Sequence, residues 1–123
     1  MKSKPKPAIE SFNSDGISIN IFTEKEKSIT ANWKVHNLIK KDLEKVFNLP
    51  WEDLFHTLRL YDITERDIQE DGLDHYIDFT INPLAQKWVL NGVEEGRKYC
   101  VDYGIRKANG RFLAITRSNE LQI

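Results

Sequence analysis

Apolar and polar residues alternate along most of this chain. Ile17, Ile19 and Ile21 occupy every second position, which predicts a first strand. Ile29, Ala31, Trp33 and Val35 repeat the pattern against Thr30, Asn32 and Lys34, giving a second strand with one apolar and one polar face. The period then changes. Ile39, Leu43, Val46 and Phe47 sit at helical spacing, with Lys40, Lys41, Asp42, Glu44 and Lys45 on the other side. Asn37 is the predicted N-cap of this amphipathic helix, and Leu49-Pro50 stops it soon after Asn48. Alternation resumes from Phe55 to Ile63, with Leu58 and Leu60 on one face and Arg59 and Tyr61 on the other. Thr64 to Asp74 reads as an acidic loop. Ile77, Phe79 and Ile81 mark a fourth strand that ends at Asn82-Pro83, and Trp88-Val89-Leu90 is a strand or a buried connection. A last strand pair flanks Asn109-Gly110, and Ser118 to Ile123 extends its second member.

Short strands with turn signals between them, plus one helix, predict a mainly β chain: an antiparallel β-sandwich whose inserted helix plugs one end or flank. Residues 1–16, rich in Lys and Pro at first, read as a flexible basic tail, and 17–123 as a single domain. Gly92 to Tyr99 narrows the class. Fibronectin type III and related immunoglobulin-like sandwiches carry an apolar residue six positions before a strand-opening Tyr, with Pro-Gly between. Val93, Glu95, Gly96 and Tyr99 stand at those positions and resemble that tyrosine corner, with Glu95 in place of proline. The resemblance implies an immunoglobulin-like fold in which the Tyr99 hydroxyl bonds back to the backbone and its ring enters the core.

The last hairpin allows a register argument. Tyr99, Val101, Tyr103 and Ile105 share one face. A two-residue Asn109-Gly110 loop pairs Ile105 with Ala114. A three-residue loop, Ala108 to Gly110 with Gly110 left-handed, pairs Ile105 with Leu113 and Tyr103 with Ile115. The second buries two branched aliphatics beside the core tyrosines and is preferred. In either register, Phe112 and Ala114 or else Leu113 and Ile115 must lie on the outer side of the sheet. With the third strand paired to this hairpin, the preferred register places Arg59, Tyr61, Asp102, Arg106, Phe112 and Thr116 on that outer side. Aromatics with arginines on a sheet face are suited to contact with a partner. The helix or the tail covering this face is the competing expectation.

Composition adds mostly exclusions. The 123 residues are 40% hydrophobic and 30% charged, an ordinary soluble composition, and the formal net charge of −1 gives no electrostatic case for nucleic acid or an anionic membrane. One cysteine cannot form an internal disulfide, and no apolar run is long enough to span a bilayer. The basic N-terminus is followed by no apolar segment of a signal peptide, so a cytoplasmic location is expected. His36, His56 and His75 have no companions at metal-ligand spacing, so no metal site or cofactor is expected. Glu65, Asp67, Glu70, Asp71 and Asp74 lack the order of a calcium hand and read as a solvated loop. Cys100 has no partner base and Ser118 no nucleophile elbow, which points away from an enzyme. Trp33 and Trp88 read as core, whereas Trp51, following Pro50 in a turn, is expected to be partly exposed.

Trp33-Lys-Val35, Leu58-Arg-Leu-Tyr-Asp-Ile-Thr64, Asp78-Phe79, Trp88-Val-Leu90, Gly96 to Gly104 and Gly110 to Asn119 together resemble the bacterial family of domain of unknown function 4912. The resemblance spans about residues 28 to 120, and Leu58–Thr64 and Arg117-Ser118-Asn119 are its most specific pieces. Val89 stands where the family pattern has Tyr, and the acidic stretch after Thr64 is an insertion. The resemblance implies a domain and carries no established activity. It does bring an association with bacterial α-glucan metabolism genes and, in longer relatives, with nucleic-acid-type modules. The expected function is therefore a non-catalytic binding module for a protein partner, acting through Arg59, Tyr61, Asp102, Arg106 and Phe112. A carbohydrate module is the alternative, with Trp51, Tyr61 and Phe112 as its platform for α-glucan. A nucleic-acid-associated accessory domain comes third and requires a basic stripe.

Overall fold

The computed structural model describes residues 16–64 and 75–123. Almost all of the expected tail and the whole acidic stretch after Thr64 lie outside the described residues. Strands β1 (Ile17–Phe22), β2 (Ser28–Val35) and β5 (Lys87–Asn91) form one antiparallel sheet in the order β1-β2-β5. Strands β3 (Phe55–Asp62), β4 (Tyr76–Thr80), β6 (Lys98–Arg106) and β7 (Phe112–Arg117) form the other, ordered β4-β3-β6-β7, and β8 (Leu121–Gln122) also pairs with β6. The two sheets stack as a β-sandwich.

The alternating apolar positions all point between the sheets. Ile17, Ile19 and Ile21 of β1 face Val35, Trp33 and Ala31 of β2 across the ladder. Against them lie Leu58, Leu60, Tyr99, Val101, Tyr103 and Ile105 of the second sheet, all buried. Trp33 stacks on Tyr103 with ring centres 5.9 Å apart. Trp88 pairs opposite Ala31 at the sheet's edge, which leaves it half-buried against the core. Ile77 shares the inward parity of β4 but is exposed, because β4 is the outer strand of its sheet.

Helix α1 (Asn37–Phe47) links β2 to β3 and packs Ile39, Leu43 and Phe47 onto one end of the core. Its N-cap is His36 rather than Asn37. The His36 Nδ1 accepts the Leu38 amide, and the backbone turns one residue earlier because the His36 amide donates to the Gly16 carbonyl. Asn48 closes the helix in the left-handed conformation. Trp51, expected to be partly exposed, is buried within a 3-10 turn, Trp51–Asp53. Its indole N–H donates to the Pro83 carbonyl and Lys40 lies over its ring.

His56 is wholly inside. Its Nε2 lies 2.8 Å from the Trp51 carbonyl, which can only accept, so Nε2 carries the proton and Nδ1 accepts from the Tyr103 hydroxyl at 2.7 Å. Burial lowers the His56 pKa below its ordinary 6.5, and the nearby charge of Lys40 pushes the same way. Above that ordinary value both folded and unfolded states hold it neutral. As pH falls through it, the unfolded chain takes up the proton first and stability is lost. The urea midpoint is therefore expected to fall between pH 7 and pH 5, and His56→Gln to flatten that slope; an equally steep slope in the variant would show that His56 is not its source.

The β6–β7 hairpin closes through the three-residue loop. The Lys107 amide donates to the Arg111 carbonyl and the Gly110 amide to the Lys107 carbonyl, with Gly110 at φ +87°. Ile105 pairs with Leu113, as the preferred register requires. Beyond that point a bulge between Tyr103 and Gly104 shifts the ladder, so Tyr103 pairs with Thr116 and not with Ile115. Thr116 accordingly turns inward and is buried, a correction to its expected outward place, and Arg117 takes the outer side opposite Asp102. Tyr99 buries its ring while its hydroxyl accepts the Glu94 amide at 3.0 Å.

Candidate interaction surface on the outer sheet face

Period-2 geometry assembles the outer side of the second sheet. Phe55, Thr57, Arg59 and Tyr61 of β3 lie opposite Arg106, Gly104, Asp102 and Cys100 of β6. Strand β4 adds Asp78 opposite Arg59 and Tyr76 opposite Tyr61, while β7 adds Phe112 opposite Arg106. Helix α1 packs against the 3-10 turn Trp51–Asp53 and seats Ile39, Leu43 and Phe47 on the core between the sheets, and residues 1–15 of the tail, the other expected cover, lie outside the described residues.

Arg59 organises its centre. Its Nε and Nη2 donate to the two oxygens of Asp78 at 2.7 and 3.0 Å, a bidentate fork that raises its already high pKa. The guanidinium carbon lies over two rings, 3.8 Å from the centre of Tyr76 and 4.3 Å from that of Phe112. Arg106 Nη2 donates to the same carboxylate of Asp78. Phe112 rests on Gly104, where a Cβ atom would come within 2.7 Å of the ring.

Asp102 anchors a second cluster below. Its side chain is 0% exposed, and Arg117 Nε and Nη2 donate to it at 2.7 and 2.9 Å. The Tyr61 hydroxyl donates to it as well, at 3.0 Å. Burial, reinforced by the Asp102 charge, pushes the Tyr61 pKa up and keeps the hydroxyl protonated. Tyr61 is only 5% exposed, so Tyr61 and Asp102, expected as contact residues, instead lie beneath the surface and hold Arg117 in place. Burial pushes the Cys100 thiol up to about 12, which leaves it protonated and a poor nucleophile at neutral pH.

Arg59, Arg106 and Phe112 thus come together as expected. Phe55, Tyr76, Asp78 and Arg117 join them without having been expected there from the sequence. Tyr76 and Asp78 alternate with Ile77 and Phe79, so the parity of β4 already carried their signal. Strand parity did not mark Arg117, because a bulge reversed its side; the sequence singled it out only within the Arg117-Ser118-Asn119 motif. Of the expected carbohydrate platform, Trp51 and Tyr61 are buried and Phe112 is half-buried beneath Arg59, leaving no row of open rings. Among the described residues, no three His, Cys, Asp or Glu side chains cluster as metal ligands, and no helix is long and apolar enough to cross a membrane.

The sequence model of the family described as "Domain of unknown function (DUF4912)" matches residues 19–123. The chain belongs to that family. No curated protein matches this DUF4912 chain. A solved structure described as "Myokine structure" is similar to it, with 15% identity, a TM-score of 0.43 and coverage of 86% of this chain and 90% of that one.

The two segments most specific to the DUF4912 pattern act in this chain as clamps. In Leu58–Thr64, Arg59 grips Asp78 and Tyr61 grips Asp102. Asp62 accepts the Thr64 amide and hydroxyl and the Arg97 Nε, while Thr64 Oγ1 accepts the Lys98 amide. In Arg117-Ser118-Asn119, Arg117 holds Asp102 and Ser118 Oγ accepts the Val101 amide. The Asn119 side-chain amide bonds both the N–H and the C=O of Ile21. This last pair ties the free edge of β1 to the opposite sheet.

Proposed function

We propose that this DUF4912 domain is a non-catalytic interaction module whose contact surface is the outer face of the β4-β3-β6-β7 sheet. One observation carries the proposal: the Arg59 guanidinium lies over Tyr76 and Phe112, with Tyr76 44% and neighbouring Phe55 58% exposed. Exposed rings beside arginines already oriented by Asp78 supply apolar and cationic contact to a partner. The clamps leave the signature side chains engaged with the scaffold, which supports a role in presenting a surface rather than in turning over a substrate. The scaffold itself we read as immunoglobulin-like. The β1-β2-β5 and β4-β3-β6-β7 strand order and the Glu94 amide bonded to the Tyr99 hydroxyl, as in a tyrosine corner, support that reading.

A photo-crosslinking amino acid placed at Phe55 or Tyr76, and at Val89 on the opposite sheet as control, tests this in the cells that make the protein. Discrete adducts from the first two sites and none from Val89 are expected. Adducts from Val89 alone, or from none of the three, would overturn the assignment.

A further inference from the structure

We propose that strand β4 pairs antiparallel with β4 of a second copy of this chain, joining the two larger sheets into one. Among the described residues β3 is the strand that pairs with β4, so the other side of β4 is a sheet edge. The ladder fixes which groups face that edge. The Asp62 amide donates to the His75 carbonyl, and the Ile81 amide to the His56 carbonyl. Both pairs continue the β3–β4 register, so by alternation Ile77 and Phe79 also turn their backbone groups toward β3. The N–H and C=O of Tyr76, Asp78 and Thr80 therefore point away from it, spaced to suit another extended strand. The other edges carry features that deter such pairing. On β1, the Asn119 side chain occupies both the N–H and the C=O of Ile21. Strand β7 carries the bulge opposite Tyr103 and Gly104, and β5 opens on the exposed Lys87. Strand β4, Tyr76-Ile77-Asp78-Phe79-Thr80, has no lysine, proline or bulge.

A second copy fits this edge by charge and by symmetry. The one charge on β4, Asp78, is already paired with Arg59 and Arg106, so two copies approach without uncompensated like charges. Identical antiparallel strands are related by a two-fold axis perpendicular to the sheet, which leaves few registers. An axis at Asp78 sets two carboxylates face to face. An axis at Phe79 runs Tyr76 past the end of the other copy's strand at Thr80. An axis at Ile77 sets Tyr76 of each copy opposite Asp78 of the other, and these pairs exchange their backbone hydrogen bonds. The two Ile77 side chains then meet at the close, non-hydrogen-bonded site. Ile77 is 60% exposed despite its inward parity, and Tyr76 44%, so this register covers the bare apolar surface of the edge. Both outer faces fall on the same side of the joined sheet, whatever they bind.

Sedimentation equilibrium of the full chain tests the pairing. Wild type is expected to dimerise as concentration rises. Ile77→Lys should raise the dissociation constant about a hundredfold, because two like charges then meet on the axis. In the monomer that lysine stays in solvent, so the circular dichroism spectrum and the urea midpoint should not change. Ile77→Cys should lock the dimer as a disulfide on mild oxidation, since an axis at Ile77 brings the two residues within bridging distance. Val89→Cys on the opposite sheet should not, and the native Cys100 is buried. A chain that stays monomeric up to about 1 mM overturns the proposal. So does a dimer that Ile77→Lys leaves intact or that Ile77→Cys fails to lock. A monomeric chain that crosslinks through Tyr76 to a different protein would assign the edge to a foreign strand and reject the second copy.

Discussion

Asp102→Ala is expected to destabilise the fold by about 3–5 kcal/mol, the cost of removing one partner from a buried ion pair. The carboxylate is inaccessible and accepts three hydrogen bonds, two from Arg117 and one from the Tyr61 hydroxyl. Alanine takes all three acceptor contacts away. Asp102→Asn keeps one oxygen acceptor but loses the charge, so it should fall between wild type and alanine. Urea unfolding followed by tryptophan fluorescence measures the series, and Trp33 stacked on Tyr103 reports on the core directly. A loss below about 1 kcal/mol for Asp102→Ala would place it with exposed ion pairs and remove Asp102 as the anchor of the surface.

Gly104→Ala should cost about 3 kcal/mol, at the upper end of the range for overpacking. Its Cβ would stand 2.2 Å from the Leu113 carbonyl oxygen, closer than the 2.7 Å to the Phe112 ring. A ring can swing aside, but a backbone carbonyl within the bulged β6–β7 ladder cannot move without breaking the register. Phe112→Ala added to Gly104→Ala is therefore expected to restore little of the lost stability. Full recovery in the double variant would mean that the ring, and not the bulge, demands glycine there. The two substitutions also separate the roles of this face, since Gly104 sets where Phe112 lies and Asp102 sets where Arg117 lies.

Most of the fold was legible because burial follows local periodicity. Ile17, Ile19, Ile21, Leu58, Leu60, Val101 and Tyr103 fall on alternate positions, and a strand needs no distant partner to point them one way. The change to helical spacing after Val35 located α1, and Asn109-Gly110 located the hairpin, while the choice of the three-residue loop came from the apolar residues it would pair with the core strand. Side chains that answer to distant neighbours were less legible. His56, next to two leucines in alternation, showed nothing of the Trp51 carbonyl and Tyr103 hydroxyl that enclose it. Trp51 looked like a turn residue, yet the Pro83 carbonyl and helix α1 enclose it.

The candidate surface divides along the same line. Strand parity alone determined that Arg59, Arg106 and Phe112 share the outer side of one sheet, because successive side chains in a strand must alternate. Which of the outward residues reach solvent was decided only by tertiary structure. One bulge exchanged Thr116 for Arg117, that arginine drew Asp102 into a buried pair, and the pair took Tyr61 down with it. Parity is a property of the local backbone and can be counted along the chain. Depth depends on which charges meet across strands far apart in sequence, and that is settled when the sheets close.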